Sequence, residues 1–478
     1  MLAVRRVFLG GLAAVYLAAF VSLAAQLHWL VGSQGLLPAE PWLAGIRGQV
    51  RFWQVPTVFW LHGSDRTLHL AAAAGAAASL ALLWGVFPKA LLLFVWAIYL
   101  SFVSVGRTFF AFQWDNLLLE TTVLAAFVAP WSRQGFGEPP PAAGVFLLQW
   151  LLVRLHVESG LAKILSGDPS WRDLTALATY YETAPLPTPL AWFAHQLPLF
   201  FHKAAAVVTL VAEIMVPWGI WGPRWLRRAA VSALALLQLL ILATANYGFF
   251  NYLTLLLCLW GLDDQDLFSL ARPWALSRTA PHPVSRHENR WGDRLFWVFA
   301  ILWVPFSVVP FFGFLPATRQ SLVEFREAVA PWRVVNAYHL FASMTYDRYE
   351  AVIEGSDDAR DWHEYEFRYK PGDVFRAPPW VAPHQPRVDF QMWFLLLRGR
   401  APRDPYFHTL LFRLLTDPTR VAPLFARNPF GQRPPRWLRV VVYRYRFTDW
   451  SRGWESHAWW ERERMSVLGP ISREMFLR

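Results

Sequence analysis

Cysteine is almost absent from this sequence. The only one, Cys258, lies in an apolar segment, so the chain forms no internal disulfide and any part outside a membrane must be stable without one. Acceptor sites for N-glycosylation (Asn-x-Ser/Thr) are missing altogether. Lysine is scarce as well, because arginine supplies most of the basic side chains. The four lysines are Lys89, Lys163, Lys203 and Lys370.

The usual signatures of soluble enzymes are missing too. There is no Gly-rich phosphate loop, no His-Glu-x-x-His zinc helix, no Gly-x-Ser-x-Gly elbow and no pair of cysteine ligands. The sequence therefore predicts no metal site and identifies no cofactor. The formal charge of +11 would suit a nucleic-acid partner. We expect none, because much of the excess lies in connections between apolar segments, where membrane topology explains it.

Long apolar segments fill the first two thirds of the chain. Hydrophobic residues make up 55% of the sequence, which also contains 28 Trp, and a membrane-spanning helix needs about 20 predominantly apolar residues in a row. The sequence therefore predicts a polytopic α-helical membrane protein with about nine spans. They lie near residues 5–26, 66–87, 89–105, 113–130, 143–164, 204–222, 228–245, 247–262 and 293–315.

Basic residues predict the orientation of these spans. The first span has the pattern of a retained anchor, since no small-residue cleavage site follows it and further spans come after. Basic side chains fall on alternate connections, which the positive-inside rule places in the cytoplasm. Everything after about residue 316 is then on the outer side, in the periplasm or the lumen of the endoplasmic reticulum. The basic positions are Arg5, Arg6, Lys89, Arg133, Arg224, Arg227, Arg228 and the run from Arg272 to Arg294.

The sequence pattern changes after residue 315. Apolar and charged residues alternate at residues 348–354 and 438–447, and a period of two residues predicts β-strands. Residues 406–424 have a helical pattern, and the Arg-, Trp- and Glu-rich stretch after Asp449 suggests a solvated or membrane-surface tail. We predict a transmembrane helical bundle at residues 1–315 and a mainly β extracytoplasmic domain at residues 316–478.

Four ionisable side chains lie inside the predicted span at residues 143–164, where an unpaired charge costs at least about 3 kcal/mol. Arg154 and Glu158 share one helical face, and His156 and Lys163 share the opposite face. The first two suit a structural ion pair. Lys163 either extends to the membrane surface or belongs to a site. His156 is either a hydrogen-bonded core histidine or a proton carrier.

Three further polar clusters are predicted to face the outer side together with this one. Glu120 and Asp115 lie in the outer half of one span and serve either helix contacts or chemistry. Asn246 and Asn251 lie in the link between two later spans and either cap helices or join a site. All four clusters can line one cavity that opens to the outer side. The remaining cluster is the loop after Lys163, with Asp168, Trp171, Arg172, Asp173, Tyr180, Tyr181, Glu182 and His195.

Longer motifs point to a known family. They include Phe112-Gln-Trp-Asp-Asn-Leu-Leu-Leu-Glu120, Gly167-Asp-Pro-Ser-Trp-Arg-Asp-Leu174, Asn246-Tyr-Gly-Phe-Phe-Asn251 and Asn336-Ala-Tyr-His-Leu-Phe341. In this order they resemble the lipase maturation factors, multi-span proteins of the endoplasmic reticulum membrane that help certain lipases fold and assemble. The resemblance implies a chaperone-like protein that is surrounded by membrane lipid and has exported proteins such as lipases as its clients. The composition indicates a bacterial-type member in the inner membrane.

A second resemblance is more distant. The pattern Gly160-x-x-Lys163 followed by Asp168 and Trp171 is similar to the lysine segment of the vitamin K-dependent γ-carboxylases, where the lysine is an essential base. It implies an alternative function, in which the bundle is an enzyme that acts on a lipid, a quinone or a peptide from the outer side. The resemblance implies a role for Lys163 alone, as the base. If the bundle is an enzyme, we expect His156, Glu120 and Asp115 to arrange protons.

Overall fold

A computed structural model describes residues 1–271, 290–313, 320–397 and 404–476 of the chain. Helices form the first part of the chain, and a five-stranded sheet lies in the last part. The predicted fold class, a polytopic helical membrane protein with a C-terminal sheet domain, is confirmed. The predicted domain boundary at residues 315 and 316 lies outside the described residues, as does most of the basic run from Arg272 to Arg294.

Helices follow one another closely along the chain, joined by short loops and 3₁₀ turns. In chain order they are α1 (Leu2–Ala24), α2 (Leu27–Leu30), α3 (Ala39–Ile46), α4 (Asp65–Leu83), α5 (Pro88–Gly106), α6 (Gln113–Val128), α7 (Ala142–Leu165), α8 (Pro169–Arg172), α9 (Ala176–Thr183), α10 (Pro189–His195), α11 (Leu199–Ile214), α12 (Arg224–Thr244), α13 (Phe250–Cys258), α14 (Asp264–Ala271), α15 (Arg290–Phe312), α16 (Gln320–Val329), α17 (Arg387–Leu397), α18 (Pro405–Thr416) and α19 (Trp450–Ser456).

Six helices in the described ranges are long and apolar enough to cross a membrane: α1, α4, α5, α7, α12 and α15. A seventh span results if α10 and α11, which meet at a bend of 114°, are counted as one broken span. The predicted count of nine is not confirmed. Helix α6 has 16 residues and α13 has nine, fewer than the roughly 20 that hydrocarbon requires. The predicted span at residues 247–262 includes a turn before α13 and the 3₁₀ turn Leu259–Gly261 after it.

The basic connections lie together at one end of the bundle. Arg5, near the start of α1, donates to the loop between α6 and α7, and Arg224, at the start of α12, pairs with Asp266 in α14 at 2.9 Å. Just past the other end of α1, the Gln26 amide donates to the Gln385 carbonyl at 2.7 Å. The sheet domain therefore packs against the end of the bundle that is opposite the basic connections.

The sheet is antiparallel throughout and has the order β3-β2-β1-β4-β5. Its centre is apolar, since Val352 lies opposite Val441 in the two middle strands, and α17 packs against it. The strands are β1 (Arg348–Ser356), β2 (His363–Phe367), β3 (Phe425–Arg427), β4 (Trp437–Phe447) and β5 (Trp460–Ser472).

The sequence located the central strands but missed the edge. Residues 348–354 and 438–447 form parts of β1 and β4, as predicted, and α18 covers the first part of the predicted helical stretch. The stretch after Asp449 is largely exposed, as expected for a solvated segment, but it is not a tail, because it forms α19 and β5. Most side chains of β5 are exposed, so burial imposes no apolar period on its sequence.

Candidate functional site

A segment of the C-terminal part enters the bundle between α6 and α7. This inserted segment (residues 336–341) is the Asn336-Ala-Tyr-His-Leu-Phe341 motif. Glu120 on α6 accepts hydrogen bonds from the backbone and side-chain amides of Asn336, at 3.0 and 2.9 Å, and from the Tyr338 hydroxyl at 2.9 Å. Glu158 on α7 accepts the Tyr338 backbone N–H at 2.8 Å. The inserted segment thus supplies donors to two buried carboxylates.

Arg154 lies between these two carboxylates and is almost completely buried. Its guanidinium pairs with Glu120 across the helix interface and lies 3.4 Å from Glu158 one turn along α7. It also donates to the Ser307 carbonyl of α15 at 2.8 Å. The intrahelical pair expected from the sequence is therefore part of a three-residue cluster. Because Glu120 already accepts four hydrogen bonds, it is held as a structural anion in this arrangement.

A second buried ion pair joins the bundle to the sheet domain. Asp115, near the start of α6, makes a bidentate pair with Arg387, at the start of α17, with N–O distances of 2.8 and 2.9 Å. The Tyr99 hydroxyl donates to the same carboxylate at 2.5 Å, and Arg387 also donates to the Phe109 carbonyl at 2.6 Å. Both charges are buried, so each depends on the other for compensation.

Lys163 is also paired. Its ammonium lies 2.9 and 2.7 Å from the two carboxylate oxygens of Glu213 on α11 and donates to the Leu340 carbonyl of the inserted segment at 3.0 Å. The ring of Trp171 lies 5.3 Å from the ammonium. Lys163 therefore links three separate parts of the chain, and a carboxylate that the sequence analysis did not include neutralises it.

His156 belongs to a hydrogen-bonded chain inside the bundle. Its Nδ1 lies 2.9 Å from the Leu152 carbonyl, and its Nε2 lies 3.2 Å from the side-chain amide of Gln238 on α12. The Gln238 oxygen in turn accepts from Asn251 at 2.9 Å. Because a carbonyl can only accept, Nδ1 carries the proton and Nε2 accepts from Gln238. This is the arrangement of a neutral histidine.

The loop after α7 binds the chain that leads into β1. Asp168 accepts hydrogen bonds from the Met344 backbone at 2.7 Å and the Tyr346 hydroxyl at 2.9 Å, while Trp171 donates to the Phe341 carbonyl at 3.0 Å. Partial burial acts to raise the pKa of Asp168, but these hydrogen bonds and those from Ser170 outweigh it and leave the pKa below its usual value. Asp168 is therefore an ionised cap for this loop at neutral pH.

Farther along the loop, Glu182 and Arg348 hold the sheet in place. The Glu182 carboxylate accepts the Phe447 backbone N–H at 2.6 Å, and its burial raises its pKa above the usual value. Arg348 is fully buried, donates to the carbonyls of residues 182, 184 and 185 and pairs with Glu350 at 2.7 Å. The bundle therefore contributes the buried Glu182 to this contact, and the sheet contributes the buried Arg348.

Asn246 binds the same domain from the link before α13. Its side-chain oxygen accepts the backbone N–H groups of Val381 and Ala382, at 2.8 and 3.0 Å, and its amide donates to the Pro379 carbonyl at 2.9 Å. Asn246 therefore serves the junction between bundle and sheet, whereas Asn251 points into the bundle. The side chains of Arg172 and Asp173 are exposed to solvent.

An apolar cavity of about 820 Å³ lies next to this junction. Five of the predicted residues line it: His156, Lys163, Trp171, Tyr180 and Tyr181. His339 of the inserted segment lines it as well, and burial lowers the pKa of this histidine to about 4, so its ring is neutral at pH 7. The predicted residues outside the lining are Asp115, Glu120, Arg154, Glu158, Asp168, Arg172, Asp173, Glu182, His195, Asn246 and Asn251.

The described ranges contain no group of three His, Cys, Asp or Glu side chains that could hold a metal ion. Three important residues were missed by sequence reasoning: Glu213, Arg348 and Arg387. Glu213 carried a usable signal, because it is an acid inside an apolar helix, as Arg154 is a base inside one. The two arginines had no such signal, since their surroundings in the sequence are polar.

The spans contain buried charges that the C-terminal sheet domain compensates. This arrangement defines a membrane protein in which bundle and sheet form one structural unit. Two family models match this chain. The lipase maturation factor transmembrane domain matches residues 3–269, and the lipase maturation factor C-terminal domain matches residues 334–470. The chain therefore belongs to the lipase maturation factor family.

Individual relatives agree with this assignment. The chain is similar to lipase maturation factor 2 of Rattus norvegicus and of Homo sapiens, each 35% identical over 98% of this chain and 82% of the relative. It is 32% identical to lipase maturation factor 1 of Bos taurus, over 98% of this chain and 89% of the relative. No solved structure matches. The more distant resemblance to the γ-carboxylases is not confirmed.

The pair of Asp115 with Arg387 predicts a large loss of stability when one partner is removed. Arg387→Met leaves the Asp115 charge buried and uncompensated, and should lower the free energy of unfolding by about 3–5 kcal/mol. The double variant Asp115→Asn/Arg387→Met removes both charges and should recover part of this loss. Thermal unfolding in lipid nanodiscs measures the difference.

The control for this pair is Arg420→Met. Arg420 pairs with Asp417 on the surface, with side-chain exposures of 41% and 39%, so its loss should change stability by no more than about 1 kcal/mol. If Arg387→Met proved no more destabilising than Arg420→Met, the ion pair would not be the junction that its geometry indicates.

The pair of Lys163 with Glu213 gives a second prediction. Lys163→Met leaves the Glu213 carboxylate buried without its cation, and should destabilise the protein by about 3–5 kcal/mol, whereas Lys163→Met/Glu213→Gln should be more stable than the single variant. Lys203→Met, on the exposed face of the same helix as Glu213, is the matched control and should be nearly neutral. A double variant as unstable as Lys163→Met would contradict a pairing role for Lys163.

Proposed function

We propose that this protein assists the maturation of exported lipases at a membrane. The observation that carries the proposal is its similarity, along 98% of its length, to proteins named lipase maturation factors. The similarity includes both the bundle and the sheet domain. The buried polar residues that an enzyme would use are engaged in ion pairs within the bundle and in a pair and hydrogen bonds that join the bundle to the C-terminal part, which supports an assembly role over catalysis.

We propose that the sheet domain contacts the client through its edge strand, β5. Among the described residues this strand pairs with β4 alone, and its apolar side chains Met465, Val467 and Leu468 are 47%, 46% and 40% exposed. A free strand edge binds extended chain through backbone hydrogen bonds, with little dependence on sequence. Such recognition suits a client that has not yet folded. The region around Arg348 is unsuitable, because that side chain is buried in the junction.

We propose the bacterial inner membrane as the location, with the sheet domain in the periplasm; in a eukaryote the equivalent position is the lumen of the endoplasmic reticulum. The proposed outer domain begins near residue 316. Support comes from the basic end of the bundle, which lies opposite the sheet domain and should face the cytoplasm. The missing N-glycosylation sites suit a bacterial protein.

The orientation predicts which introduced thiols are accessible from outside. Ser466→Cys in β5 and Ser132→Cys between α6 and α7 both place an exposed thiol in a chain whose own Cys258 is buried. In spheroplasts, a membrane-impermeant maleimide should label Ser466→Cys at once and Ser132→Cys only after lysis. The opposite pattern would contradict the orientation.

The proposed function predicts that co-expression of this protein raises the specific activity of an exported lipase. Export of a lipase in a bacterial host should give a severalfold higher activity per lipase polypeptide when this protein is present than when it is absent. Enzyme activity and immunoblotting of the exported fraction measure this ratio. An unchanged ratio across several exported lipases would contradict the proposed function.

A matched pair of variants isolates the client contact in the same assay. Val467→Lys places a charge on the free edge of β5 and should reduce the gain, because charge on an edge opposes strand pairing. Phe375→Lys changes another exposed apolar residue, 61% accessible, in the loop after β2 and should keep the gain. Equal behaviour of the two variants would place the client contact elsewhere.

A further inference from the structure

The cavity beside the junction has a mouth on the side of the bundle. Its lining includes four side chains that are also open to the surroundings: Leu190, Leu197, Val208 and Leu240, with 44%, 47%, 62% and 56% exposure. They lie on or between α10, α11 and α12. Helix α12 is a candidate span, and α11 belongs to the broken one, so the mouth lies between membrane helices.

The surface around this mouth is apolar. On α11, Val207 and Val211 are 42% and 46% exposed, and on α12, Leu236 and Leu239 are 57% and 50% exposed. Side chains of this kind on spans contact lipid chains. The mouth therefore opens sideways into hydrocarbon.

Deeper in the cavity the polar groups already have partners. Lys163 is neutralised by Glu213, and His156 accepts from Gln238. The ring of His339 lies 2.5 Å from the Gln113 amide. These groups offer neither net charge nor free donors to a polar ligand. The remaining wall is mainly aliphatic and aromatic, with Trp171, Tyr180, Tyr247, Phe341, Phe390 and Trp393, and also contains the hydroxyl side chains of Ser159, Thr209, Thr244 and Ser343.

A cavity with this lining is unfavourable when it is empty. Water would find few hydrogen-bond partners there, and wall atoms without neighbours lose dispersion contacts. A hydrocarbon chain from the membrane restores those contacts without first being desolvated from water. The volume, about 820 Å³, lies within the range of roughly 300–1,000 Å³ that ligand sites occupy.

We propose that the cavity binds one hydrocarbon chain of a membrane lipid, which enters sideways between α11 and α12. The chain belongs either to a phospholipid, whose head group then stays outside the mouth, or to a free fatty acid. Both sources share the acyl chain that the wall contacts. This inference does not rest on the proposed function, because it concerns occupancy of the bundle alone.

Photolabelling in proteoliposomes tests the proposal. In one arm the probe is phosphatidylcholine with a diazirine in one acyl chain, and in the other arm it is a fatty acid with the same group. The wild type should be labelled at buried or half-buried residues of the cavity wall, namely Leu177, Tyr180, Tyr181, Leu237, Gln238, Ile241 and residues 339–342. The arm that labels these residues more strongly identifies the source of the chain.

Two neighbouring alanines provide matched variants. Ala205 on α11 lines the cavity and is half-buried, whereas Ala204 next to it is exposed and outside the lining. Ala205→Phe places a phenyl ring in the cavity, which obstructs the acyl chain and should reduce its labelling at least about tenfold, whereas Ala204→Phe should leave it unchanged. Labelling of exposed Val207 and Leu239 should persist in both variants, which shows that the protein is inserted and folded.

Two results would overturn the proposal. One is an unlabelled cavity in the wild type in both arms. The other is equal cavity labelling in Ala205→Phe and Ala204→Phe, which would mean that the probe reports only lipid around the protein. If Ala205→Phe failed to fold, Ala243→Phe would replace it, because Ala243 lines the same cavity from α12 and should show the same loss.

Discussion

A charge buried among apolar helices persists only when an opposite charge and hydrogen-bond donors surround it, because leaving one partner uncompensated costs several kcal/mol. Asp115 and Glu158 are acids of the bundle that find this compensation far along the chain. Arg387 pairs with Asp115, and the Tyr338 backbone amide donates to Glu158. The bundle therefore cannot reach its lowest free energy alone. Folding of the bundle is coupled to the docking of the C-terminal part, although most of the apolar surface of the bundle lies on its individual helices.

The same constraint decides what the polar residues can do. Lys163, Glu120 and Asp115 have the composition of a proton-transfer site, but each is engaged in an ion pair within the described structure. A general base needs a free lone pair and a path to its substrate, and these groups are held in their charged, paired state instead. The pair of Asp115 with Arg387 holds the sheet domain against the bundle. That outcome suits a protein that presents a binding surface to exported clients.

The sequence singled out some of the buried charges, although it did not show with what they pair. Arg154 and Lys163 stood out because charge inside an apolar span needs a reason. The partner of Lys163, Glu213, carried the same signal on another span. Arg387 stands among polar residues, where nothing in the pattern distinguishes a buried arginine from a surface one. The predicted count of nine spans was not confirmed. Hydropathy measures the composition of a segment and does not show where a helix breaks.

The inserted segment connects the two surfaces to which we assign roles. His339 and Phe341 lie in the wall of the cavity, and a few residues later the chain becomes β1, the central strand of the sheet. Between them, Trp171 holds the Phe341 carbonyl and Asp168 holds the Met344 amide. A shift of the inserted segment in response to the contents of the cavity is transmitted to the sheet through these hydrogen bonds. If chain binding in the cavity and client binding at the sheet are coupled through these hydrogen bonds, each must change the affinity of the other by the same factor.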